Sequence, residues 1–167
     1  TYTAATGENI DLTGGATTTF TSSNDDITFG TATVEMANGS NLEIDTDTLG
    51  GAIDLAGGVM GTSSENITLT AGTGNVAIGA VGTGTEIADV TITTTGNTTI
   101  SAGTISISAD SGLGAAPGSP SAGHLTLNGG TLESSADFTL KSKRGIALGT
   151  RNGTINVDGS RTLTYGG

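Results

Sequence analysis

The side chains that could do chemistry are few and unevenly spread. The chain has 16 acidic residues, 5 basic residues, one histidine and no cysteine. His124 stands alone: no Ser-His-Asp triad or metal-ligand set can be built around it. It occupies the slot that Asn or Asp fills in similar segments elsewhere, and is expected to be an exposed turn residue. Acid pairs occur at Asp25 and Asp26 and at Asp45 and Asp47. Paired carboxylates suit the cleavage of polysaccharides. That chemistry also needs basic residues to hold an acidic sugar, and none precedes Lys141. Aromatic platforms for sugar rings are limited to Tyr2, Phe20, Phe29, Phe138 and Tyr165. No catalytic site is expected.

Calcium takes six to eight oxygens, and "SSNDD" (22–26) and "EIDTDT" (43–48) could supply some of them. Neither matches an EF-hand loop, and the G-G-x-G-x-D repeat of calcium β-rolls does not occur. These carboxylates are read as solvated turn residues, and no metal or cofactor is expected. Threonine ranks such as "TLT" (68–70 and 162–164), "TIT" (91–93) and "TTT" (93–95) raise ice binding, but Thr is also what a solvent-facing β-surface prefers. Glycosylation sequons at Asn38, Asn66, Asn97 and Asn152 are expected by chance in a chain with 33 Thr.

All five basic residues, Lys141, Lys143, Arg144, Arg151 and Arg161, follow position 140, and of the acids only Asp158 does. Residues 1–140 are therefore strongly acidic, which argues against nucleic-acid binding. The basic residues are read as a self-association surface that meets the acidic end of another copy. No apolar run is long enough to span a membrane. The chain begins at Thr1, and is expected to be a processed or excised piece of a longer protein.

The elements that must position these groups follow from composition. Gly accounts for 29 residues, aromatics for 3%, and there is no Trp. Large core side chains are sparse, so the core must be thin and repetitive. Short period-two triplets recur, each expected to be a strand of three to five residues. They read "DITFG" (26–30), "NITLTAG" (66–72), "DVTITTTG" (89–96), "NTTISAG" (97–103), "HLTLNGG" (124–130), "DFTLKSK" (137–143), "GTINVDG" (153–159) and "RTLTYGG" (161–167). Looser versions are "NIDLTGG" (9–15), "TVEMANG" (33–39), "NLEID" (41–45), "AIDLAGG" (52–58) and "NVAIGA" (75–80). Gly- and Asn-rich turns separate them. Very short strands, interchangeable apolar residues and Pro-poor turns favour a parallel β-solenoid over a sandwich or barrel. Three strands per coil would give about five or six coils. The segment 109–123, which holds Pro117 and Pro120, breaks the rhythm and is read as a loop excursion from a single solenoid segment, 1–167.

The stretches 66–82 and 89–112 resemble the repeats of filamentous-haemagglutinin-type large exoproteins. The part from 125 to 167, with "NGGTL", "RGIALG", "GTINVDG" and "TLTYGG", resembles the autotransporter-associated β-strand repeat. The resemblance implies a right-handed parallel β-helix on a secreted bacterial fibre or adhesin, at the cell surface or outside the cell, and carries no catalytic residue to this chain.

The sequence thus leads to an all-β solenoid that is structural and stacks end to end. Its partner would be copies of itself, with a host or cell-surface glycan as a further candidate and neither nucleic acid nor membrane insertion. Two alternatives remain open at this point. One is a glycan- or receptor-binding adhesin module acting through loops such as 109–123. The other is a β-sandwich filament subunit joined by strand exchange, with "TYTAAT" (1–6) as the spare strand.

Overall fold

The structure is a computed structural model that describes residues 8–62, 65–82, 87 and 89–166. Within them the chain winds into a parallel β-solenoid of about six turns. The first three coils and the sixth each lay one short strand on each of three faces. The first coil holds β1 (Ile10–Leu12), β2 (Thr17–Thr21) and β3 (Ile27–Thr28). The second holds β4 (Val34–Met36), β5 (Asn41–Asp45) and β6 (Ile53–Leu55). The third holds β7 (Val59–Met60), β8 (Asn66–Gly72) and β9 (Val76–Ile78). In the fourth, Val81 makes a single bridge to Val59 before β10 (Asp89–Thr94) and β11 (Thr98–Ile100).

The fifth coil departs from this pattern. β12 (Thr104–Ile107) leads to a one-turn 3-10 helix (Asp110–Gly112), and β13 (Ser121–Leu127) follows. No second-face strand forms there; Leu113 alone bridges back to Ile92. The sixth coil is regular again, with β14 (Thr131–Ser134), β15 (Phe138–Leu140) and β16 (Arg144–Leu148). β17 (Thr154–Val157) and β18 (Leu163–Tyr165) begin another level. Every strand pairing among the described residues is parallel. That excludes the β-sandwich alternative, which needs antiparallel pairing; the segment proposed for strand exchange, 1–6, lies outside the described residues.

Pairing shows how sequence period becomes coil period. Ile10 pairs with Val34 and Val34 with Val59, steps of 24 and 25 residues. The step widens to 27 from Thr98 to Leu125 and narrows to 21 from Leu125 to Ile146. In-register stacking places like on like: Ile27, Ile53, Val76, Thr98, Leu125 and Ile146 form one inward column of the third face. Alternation turns the middle residue of each triplet outward, so the core is a narrow stack of Ile, Leu and Val. Outside, Thr68 lies under Thr91, and Thr104, Thr131 and Thr154 line up over three levels.

The three faces are not equally continuous. The third face is a single six-stranded ladder, β3-β6-β9-β11-β13-β16. The second face is split into β2-β5-β8-β10 and β15-β18, because the fifth coil supplies no strand between them.

Candidate functional site

The turn Asn and Asp residues tie one coil to the next. Their side-chain oxygens accept backbone N–H groups from the level above: Asn24 from Leu49 (2.9 Å), Asp26 from Ala52 (2.7 Å), Asn41 from Asn66 (2.8 Å) and Asn75 from Asn97 (2.9 Å). Asn128 does the same for Arg151 (3.1 Å) and Asp137 for Thr162 (2.8 Å). Of the acid pairs singled out in the sequence, Asp26 belongs to this system, whereas Asp45 and Asp47 close their own turn. Asp45 accepts the amide of Asp47 (2.8 Å) and Asp47 that of Thr48 (2.7 Å), which fixes a turn with Asp47 at φ +66°. Among the described residues, no group of three or more His, Cys, Asp or Glu side chains is placed to hold a metal ion.

His124 corrects the sequence reading. It stands in the Asn slot, since the pairing of Thr98 with Leu125 sets it directly above Asn97. Asn75 and Asn97 are exposed there, whereas His124 is 1% exposed. Burial follows from the irregular fifth coil and from Arg144, whose side chain reaches back one level and covers the ring.

Arg144 is also not the surface cation that the sequence suggested; it is completely buried. Its guanidinium meets the Asp110 carboxylate edge-on, with Nε to Oδ1 at 3.1 Å and Nη2 to Oδ2 at 3.2 Å. Nη1 donates to Leu113 O (2.9 Å) and to His124 Nδ1 (3.0 Å), and Nη2 donates to Gly114 O (2.8 Å). All five donors of the planar fork are thus used, a set no lysine could satisfy. Asp110 Oδ1 also accepts the Lys141 backbone N–H (3.1 Å). Because Nδ1 accepts, the imidazole is neutral with its proton on Nε2, and Nε2 is buried without a partner. Burial, and then the adjacent Arg144 charge, lower the His124 pKa below its ordinary value; Asp110 opposes this in part.

The segment 109–123, read as a loop excursion, is therefore drawn partly into the coil. Leu113 and Gly114, just after the 3-10 turn, pack inward, residues 115–120 run along the surface, and residues from Ser121 onward belong to β13. The other basic residues scatter. Lys143 donates Nζ to Gly118 O (2.5 Å), while Lys141, Arg151 and Arg161 are exposed. Nothing in the sequence pattern marks Arg144 as buried. The available signal was the missing triplet between 108 and 123, which leaves a gap that some distant side chain must fill.

The two ends of the solenoid differ in character. The first coil exposes Glu8, Asp11, Asp25 and Asp26. The last levels expose Lys141, Lys143, Arg151 and Arg161 against Asp137 and Asp158. That end also leaves inward-column residues uncovered. Leu148, 63% exposed, continues the column of Leu127, and Ile155 and Tyr165 continue those of Leu132 and Leu140.

No known protein family, curated protein or solved structure matches the chain.

Proposed function

We propose that the chain is a structural, non-catalytic solenoid segment of a secreted bacterial surface fibre or giant adhesin, stacked end to end with copies of itself. The observation that carries this reading is the contrast between the ends. The last level presents strand edges, uncovered apolar columns and net positive charge. The first coil presents strand edges and carboxylates. Unpaired strand edges are templates for further pairing. A contact between unlike ends does not close, so it propagates as a filament, and opposite charge favours one polarity over head-to-head docking. The extracellular and adhesin parts of the reading rest on the resemblance of 66–82, 89–112 and 125–167 to large exoprotein and autotransporter repeats.

The burial of Arg144 decides which residues can test this. Reversing Arg144 would break the fold, so the test is the surface set Lys141→Glu, Arg151→Glu and Arg161→Glu. In sedimentation velocity at low salt, the wild-type chain is expected to grow with concentration and the triple variant to stay monomeric. A wild-type chain that stays monomeric at every concentration, or a triple variant that assembles equally well, would contradict the proposal.

A further inference from the structure

The second face carries a fault. β10 ends one ladder and β15 begins another, and the coil between them supplies no strand. Main-chain pairing on this face is reduced there to the single Leu113–Ile92 bridge, at a level where the third-face ladder runs on and β12 pairs with β14 on the first face. One group of side chains spans the gap. Arg144 at the start of β16 holds Asp110, Leu113 and Gly114 of the coil below, and it does so together with His124 of β13.

We propose that Asp110, Arg144 and His124 form an acid-sensitive clamp that holds the sixth coil onto the fifth where the second-face strand is missing. The clamp does by side chains what a ladder does elsewhere. Its sensitivity comes from geometry. The ring can accept from Arg144 only while Nδ1 is unprotonated. Adding a proton there removes the acceptor and sets one N–H against another, with two cations 3.0 Å apart in a buried site.

The groups facing the ring are few. β16 brings Arg144 and the 3-10 turn brings Asp110; β11, paired with β13, brings only Thr98, Thr99 and Ile100, and β15 carries no titratable group. Lys143 turns outward to Gly118. The sign follows directly. A His whose pKa is lowered by folding binds a proton more readily when the clamp opens. Its contribution is complete above the ordinary His pKa of about 6.5 and is lost as pH falls below that toward the folded value.

Hydrogen exchange on the intact chain tests this at about pH 7 and about pH 5, with rates corrected for intrinsic exchange. The probes are the amides of Gly112, Leu113, Gly114, Lys141 and Arg144, with those of β9 as an internal reference. In the wild type the probe amides are expected to lose protection by about tenfold relative to β9 on acidification. In His124→Asn, which restores the residue of the neighbouring coils and keeps an acceptor without a titrating ring, that pH response is expected to vanish. Arg144→Met is expected to lose the same protection at both pH values. Where that variant fails to fold, the histidine comparison alone decides. A wild-type response no larger than that of β9, or an equal response in His124→Asn, would overturn the clamp.

Discussion

Thr98 shows how much a single residue costs in so narrow a core. It sits in an inward column between Val76 and Leu125, and its hydroxyl is buried without a hydrogen-bond partner. An unmet hydroxyl in an apolar site costs about 1–3 kcal/mol. Thr98→Val keeps the β-branched shape and removes the debt of desolvation. Urea denaturation is expected to show a gain of about 1–2 kcal/mol; a loss would mean that the hydroxyl is satisfied. Such positions were half legible in the sequence. The triplet "TTI" marks Thr98 as a first strand position, and sister triplets place Ile, Val or Leu there. The slot of His124 was legible in the same way, through Asn75 and Asn97. Its burial was not, because that depends on Arg144, 20 residues further on and folded back one level.

At the scale of elements, the triplets mark the strands because each strand obeys the same two constraints: inward apolar residues at alternate positions and a turn that closes onto the level below. "NITLTAG" spans β8, and "NLEID" spans β5. Of the strands outside those triplets, two break one of those constraints, whereas β12 and β14 keep the alternation. β2 reads Thr-Thr-Thr-Phe-Thr, with Thr18 in an inward position, and β7 is two residues long. The abundance of glycine also has a local cause. Gly51, Gly74 and Gly96 stack over successive coils, and a Cβ on any of them would strike the backbone carbonyl of the level below, Asp25, Gly51 and Gly74 respectively. Here the requirement is space for a close approach between coils. Gly74→Ala is expected to destabilise the protein by about 1–3 kcal/mol by forcing two coils apart. Gly14→Ala, where an added methyl would meet nothing within 4 Å, is the control, expected to change stability by no more than about 0.5 kcal/mol. Equal effects of the two in thermal or chemical denaturation would contradict coil-to-coil crowding as the reason for these glycines.

For the whole molecule, the charge asymmetry read from the sequence becomes spatial. Chain order and axial order coincide in a solenoid, so the acidic early residues and the basic late residues lie at opposite ends of the rod. The fold class was legible because every coil repeats the same local rule. The irregular fifth coil was visible only as a broken rhythm, since what completes it comes from another level. The most direct test of the stacked-solenoid reading is cryo-electron microscopy of the chain at high concentration and low salt. End-to-end stacking gives a continuous fibre whose axial repeat is about six strand spacings, about 30 Å. Discrete particles the length of one solenoid, under all conditions, would contradict it.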